Sequence, residues 1–122
     1  EASQAHNLRG FAFIALGEPT AAMSAFRKAA DGDPKNATAW NNVGVQYLVL
    51  GDYGTAASCF SYAVQLDPSF TQAHLNHGSA LRAQGNVVAA EQSFRKALDR
   101  DPDHLDALAG PHVAKLRLDS LP

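Results

Sequence analysis

Side chains able to hold a metal, attack a carbonyl or shuttle a proton are sparse in this chain, and their spacing excludes most of that chemistry. His74 and His77 stand three residues apart, close enough to share one helical face. A zinc-type site needs three or four ligands, and no carboxylate or thiol is spaced to join the pair, so packing is expected of both. Asp99, Asp101, Asp103 and Asp106 resemble a calcium loop only in their acids, because the turn glycine and the closing glutamate are missing. They read as solvated capping residues. Cys59 is the single cysteine, which rules out an internal disulfide or a CxxC motif and leaves a small buried side chain as the expectation. The serines are scattered, no nucleophile, base and orienting acid stand in register, and there is no glycine-rich phosphate loop. No enzyme, metal or cofactor is expected.

The amides remain. Asn42 and Asn76 lie 34 residues apart. An amide side chain donates and accepts at once, so such a pair can hold an extended segment by its backbone without reading its side chains.

Composition narrows the partner class. At 122 residues the chain fits one domain (1–122) with a core of its own. Hydrophobic residues make up 46% and charged residues 18%, with a net charge of −2, which excludes a disordered or fibrous protein. No basic run exceeds the pairs Arg27-Lys28 and Arg95-Lys96, so a nucleic acid backbone is not an expected partner. No apolar run approaches the ~20 residues of a spanning helix. The chain begins at Glu1 without a methionine and reads as a piece of a longer protein; its compartment is left open, the cytoplasm by default or the periplasm if a targeting segment was removed. The alanine-rich, lysine-poor composition points to a bacterial source.

What positions any site is a repeat. Stepping by 34 residues from Trp40, seven columns agree three times over, among them Gly10, Gly44 and Gly78; Ala22, Ala56 and Ala90; Phe26, Phe60 and Phe94; and Pro34, Pro68 and Pro102. Gly17, Gly51 and Gly85 recur likewise, as do Ala29, Ala63 and Ala97, and Asp33, Asp67 and Asp101. The middle unit reads Trp40, Val43, Gly44, Tyr47, then Ala56, Phe60, Ala63 and Pro68, and this pattern resembles the tetratricopeptide repeat. The outer units keep the glycine, alanine, phenylalanine and proline positions but place His6 with Arg9, and His74 with His77, where the pattern has Trp and Leu. Units 3–36, 37–70 and 71–104 cover 102 of the 122 residues.

The residue types carry a physical meaning of their own. Glycine and alanine at the crossing let two antiparallel helices approach to ~8–10 Å, and phenylalanine fills the seam. Gly51-Asp52 and Gly85-Asn86 combine a left-handed stop with a cap for the next helix. Gly17-Glu18-Pro19 does the same with proline at the first helical position, and each Asp-Pro ends a second helix. Helices are therefore expected at about 3–16, 19–30, 37–50, 53–66, 71–84 and 87–98. A seventh, at 105–118 and interrupted by Gly110-Pro111, should cap the end of the stack. The fold class is all-α, an α-solenoid of three helical hairpins with a C-terminal capping helix.

The family resemblance implies that first helices line a concave groove. The core-facing set of the middle first helix is Trp40, Val43, Gly44 and Tyr47, which leaves Thr38, Asn41, Asn42, Val45, Leu48 and Val49 on the opposite stripe. The equivalent positions are Gln4, Asn7, Leu8, Phe11, Ile14 and Ala15 in the first unit, and Gln72, Leu75, Asn76, Ser79, Arg82 and Ala83 in the third. None of the 12 acids falls on a first helix, where Arg9 and Arg82 are the only formal charges. A surface helix normally carries charge on its free face. An uncharged face ringed by solvated charge is what a partner site looks like.

Asn42 and Asn76 look like a two-rung version of the asparagine ladder in the tetratricopeptide region of O-linked N-acetylglucosamine transferases, broken at Leu8. The clamp that co-chaperones place on the terminal carboxylate of heat-shock proteins is not matched. Asn42 alone fits it, while Asn7, Phe11, Gln72 and Asn76 stand where its cations and a further asparagine belong. The expected role is a scaffold that holds a largely uncharged or mildly acidic peptide or helix of another protein, with glutamate at Val45 and Leu48 as the test. The alternatives are a homo-oligomer built through the uncharged face or an open end, the targeting region of a larger enzyme, or a bacterial pilus or secretion assembly protein.

Overall fold

The computed structural model describes residues 2–102, in which six helices follow one another: α1 (Ala2–Ala15), α2 (Pro19–Gly32), α3 (Ala37–Val49), α4 (Tyr53–Leu66), α5 (Thr71–Ala83) and α6 (Val87–Arg100). No strand occurs among the described residues. The expected helix at 105–118 lies outside them.

The turns explain why these helices pair. Gly51 and Gly85 sit at φ 83° and 84°, a left-handed geometry in which a side chain would be strained. The chain reverses there and is caged at once by a cap: Asp52 accepts from the amide of Thr55, and Asn86 from that of Ala89. Pro19 opens α2 with no side-chain cap, as proline at the first position allows. At the other end, Asp33, Asp67 and Asp101 take extended angles and donate their amides to the carbonyls of Ala29, Ala63 and Ala97. Proline constrains only the residue before it, so α2 and α6 run on to Gly32 and Arg100, past the Ala30 and Leu98 expected from sequence.

Within each hairpin a phenylalanine lies on a glycine. A Cβ at Gly44 would come within 2.6 Å of the Phe60 ring, and one at Gly78 within 2.7 Å of Phe94. Glycine is therefore dictated by the closeness of the two helices. Phe26 and Phe60 are fully buried, each contributing ~1.5–3 kcal/mol of transfer free energy. Between hairpins the packing continues through small residues. Ala22, Phe26, Ala29 and Ala30 of α2 meet Ala39 and Val43 of α3, and Ala56, Ala57 and Phe60 of α4 meet Ala80 of α5. The result is a stack without an enclosed bundle core, since each hairpin packs only on its neighbours.

Candidate functional site

The inner side of the stack is identified by which helices touch. First helices pack on one another directly, α1 on α3 and α3 on α5, whereas second helices meet each other marginally at most. The stack therefore curves toward α1, α3 and α5, and these three present its concave side. Their sequences contain no acidic residue.

Two hydrogen bonds, one period apart, tie these helices together. The Asn42 amide donates to Asn7 Oδ1 over a long 3.4 Å, and the Asn76 amide to Asn41 Oδ1 at 3.0 Å. Asn7, Asn41 and Asn42 are buried, and Asn76 also accepts from Gln72 at 3.1 Å. Leu8 leaves the first unit without the donor and Leu75 leaves the third without the acceptor. The amide pairing thus spans the two junctions of a three-unit stack. Asn42 and Asn76, the pair singled out by sequence, do not meet each other: each spends its amide N–H on an asparagine of the preceding first helix.

The rest of the expected lining divides in two. Phe11, Ile14, Thr38, Val49, Gln72, Ser79 and Arg82 are exposed, with Phe11 also set edge-on against Phe26 at a ring separation of 5.2 Å. Val45 and Leu48 are half-buried and pack on the cluster of Ala56, Phe60 and Ala80. The stripe opposite the core-facing set is thus partly a junction. A first helix has its own second helix on one side and neighbouring units on two others, so only a narrow strip remains for solvent.

A second pair of period-spaced bonds escaped the sequence reading. Trp40 Nε1 donates to the Pro34 carbonyl at 2.8 Å, and His74 Nε2 stands 2.9 Å from the Pro68 carbonyl. A carbonyl only accepts, so His74 carries its proton on Nε2, and its Nδ1 is buried with no hydrogen-bond partner. The signal was available: both residues lie six positions after a proline of the repeat and both offer a ring N–H. In the middle unit Trp40 meets Tyr62 edge-on at 5.0 Å; one period later the residues are His74 and Lys96, which line an outer cleft of about 670 Å³ with Val64, Gln65, Pro68, Asp99 and Arg100.

His77 and Ser93 lie at 3.5 Å. Burial lowers the pKa of His77, with the charges of His74 and Lys96 adding to the effect. Cys59 is buried, and that burial raises its thiol pKa, with Arg27 opposing and Asp52 assisting. A raised pKa leaves it protonated and poorly nucleophilic. Among the described residues no cluster of His, Cys, Asp and Glu could hold a metal, and no helix is long and apolar enough to cross a membrane.

Paired helices at a fixed period, curving around an inner face free of acidic residues, define a helical-hairpin solenoid, a scaffold for interaction between proteins. Tetratricopeptide repeat models match residues 1–37 and 44–104, and a second matches 25–57; the chain belongs to the tetratricopeptide repeat family. No curated protein matches the sequence. Among solved structures, the first such domain of Spaghetti (RPAP3), bound to HSP90 peptide SRMEEVD, is similar with a TM-score of 0.85 at 23% identity, covering 97% of this chain and 92% of that one. Its second domain, bound to the same peptide, gives 0.80 at 25%, covering 83% and 94%. The Arabidopsis OM64 tetratricopeptide domain gives 0.84 at 24%, covering 97% and 96%.

Proposed function

We propose that the concave side of α1, α3 and α5 binds a segment of another protein, and that this is the function of residues 3–104, three repeat units within a single domain. The observation that carries the reading is a face free of acids on which Phe11, Ile14 and Val49 stay exposed. Exposed apolar surface ringed by charge is costly in water and is retained where something covers it. The similar domains of Spaghetti hold a peptide, which supports a peptide as ligand class here. Capture of a terminal carboxylate by a cation clamp is not part of this proposal, because Asn7, Phe11, Gln72 and Asn76 occupy the positions where its cations and a further asparagine would stand. The residues proposed to contact the partner are Phe11, Ile14, Thr38, Val49, Gln72, Ser79 and Arg82, with Val45 and Leu48 forming the floor and Asn7, Asn41, Asn42 and Asn76 holding its shape.

Glutamate at Val45 and Leu48 confounds binding with folding, since both pack on the Phe60 cluster. Ile14→Glu and Val49→Glu are cleaner. Each should abolish capture of partner proteins in an affinity purification read by mass spectrometry, while circular dichroism and Tm stay within a few degrees of the parent. Undiminished capture by both variants would move the partner site elsewhere.

One observation favours self-assembly as a second reading. Ala39 and Ala73, then Ala80, are fully buried against the preceding hairpin, whereas their counterparts Ala5 and Ala12, with Leu8 between them, are exposed on α1. This face of α1 carries the surface that the other junctions bury, and such a face in a solenoid takes a further hairpin, from a second copy in this reading. Light scattering over a concentration series, with Leu8→Glu as control, separates the readings.

A further inference from the structure

The groove is not uniform along its length, and the gradient specifies what lies in it. Following one lining position along the stack gives Phe11, Val45 and Ser79; following the next gives Ile14, Leu48 and Arg82. Each column passes from bulky apolar at α1, through half-buried apolar at α3, to polar at α5. Phe11 and Ile14 are 51% and 45% exposed, an apolar patch open at one end. At the other end the Arg82 guanidinium has no hydrogen bond or ion pair among the described residues, no acid on its own helix and none on α3. Arg9, the other cation of the first helices, faces His6 Nδ1 at 3.4 Å.

Val49 of α3 extends the apolar strip, and the exposed polar side chains alongside it are hydroxyls and one amide, namely Thr38, Gln72 and Ser79. Such groups can satisfy the open N–H and C=O groups of an extended backbone. A helix has none to offer along its length, because its bonds are internal. Resting on the groove reading above, we infer that the occupant is an extended segment of a partner protein with bulky apolar side chains at one end, over Phe11 and Ile14, and a carboxylate at the other, on Arg82.

Geometry sets the separation. First helices in such a stack lie ~8–10 Å apart, so α1 to α5 is ~16–20 Å. An extended chain advances ~3.3 Å per residue, which places the carboxylate about five or six residues from the apolar anchor. A guanidinium favours this group because a charge-assisted, two-pronged bond to carboxylate is the strongest contact it makes.

The test is a series of fluorescein-labelled peptides, both ends blocked, carrying Leu-Phe and one Asp separated by one to ten Ser, Gly or Thr residues, made in both chain directions and titrated by anisotropy. Affinity should peak at a separation of five or six in one direction, and fall about tenfold or more when Asp becomes Asn or moves next to Leu-Phe. Arg82→Glu, at an exposed position, should invert the preference so that the Lys counterpart binds better than the Asp peptide. Peptides that bind equally with Asp, Asn or Lys would overturn the gradient and leave the groove intact. Failure of the whole series, with capture still lost in Ile14→Glu, would overturn the extended occupant alone; failure together with undiminished capture in Ile14→Glu would remove the groove reading as well. Self-association abolished by Ile14→Glu would show that a second copy fills this face and would equally refute the inference.

Discussion

The middle and third hairpins share their backbone and differ in what fills their seams. In the middle unit Trp40 meets Tyr62 edge-on, and Val43 and Cys59 join one apolar cluster. One period later the same positions hold His74 with Lys96, and His77 with Ser93. Both seams keep the ring N–H pointing at a proline carbonyl, and both keep glycine under phenylalanine. The repeat therefore separates into two layers of constraint. Glycine, phenylalanine and the turn residues fix the hairpin, while the outer seam tolerates apolar or polar filling at a cost in stability.

The largest expected effect lies in the first layer. Gly44→Ala puts a methyl within 2.6 Å of the Phe60 ring, and that ring is fully buried between its own hairpin and Ala80 of the next. Overpacking of this kind costs ~1–3 kcal/mol, and Gly44→Ala should fall at the upper end. Gly78→Ala puts a methyl within 2.7 Å of the Phe94 ring and should cost a like amount, since both hairpins share this layer of constraint. Urea unfolding of both variants, compared by midpoint, measures the losses. A loss well under ~1 kcal/mol in either would show that its two helices shift apart to take the methyl.

This first layer was legible from sequence because it repeats. Gly10, Gly44 and Gly78 can be read as close approaches without coordinates, since only phenylalanine and alanine recur opposite them at the same period. The groove was legible only as a stripe. Whether Asn41 or Thr38 faces solvent depends on how far each hairpin is rotated on the one before it, and no spacing within a single helix encodes that rotation. Asn41 therefore turned out buried against Asn76 while Thr38, three residues earlier on the same helix, is exposed. The amide pairs needed a different comparison, position 7 with position 42 and position 41 with position 76, an offset of one period plus one residue.

The second layer is tested by exchanging seams. Trp40→His imports the third unit's residue into the middle and should cost ~2 kcal/mol, less than the 3–5 kcal/mol of complete truncation, because the imidazole can still reach the Pro34 carbonyl as His74 reaches that of Pro68. His74→Trp runs the other way. It removes an orphaned buried nitrogen, and the cleft lined by His74 and Lys96 leaves room for the larger ring. Filling it should stabilise by ~0.5–2 kcal/mol. Adding Lys96→Tyr to His74→Trp rebuilds the Trp40–Tyr62 pair, and a double-mutant cycle should return ~0.5–1.5 kcal/mol of coupling. A destabilised His74→Trp would show that the polar seam is held by contacts other than those named.

The smallest effect is a pH dependence that only the third seam should have. The folded-state pKa of His77 is lowered, first by burial and then by His74 and Lys96. The groups facing it are thus an imidazole on its own helix and, from α6, an ammonium and the Ser93 hydroxyl, with no carboxylate among the causes of the shift. Below the unfolded value of about 6.5 the unfolded chain takes up a proton that the folded chain refuses. Stability must therefore be fully present above the unfolded value of about 6.5 and fall as pH drops from there toward the lowered folded value. Val43, the counterpart of His77, has nothing to titrate. His77→Val should thus flatten the dependence of Tm on pH between 7.5 and 5 relative to the parent, while Val43→His should steepen it. A parent and a His77→Val variant with parallel profiles would place the proton-linked loss outside this seam and leave the two hairpins equivalent in their response to acid.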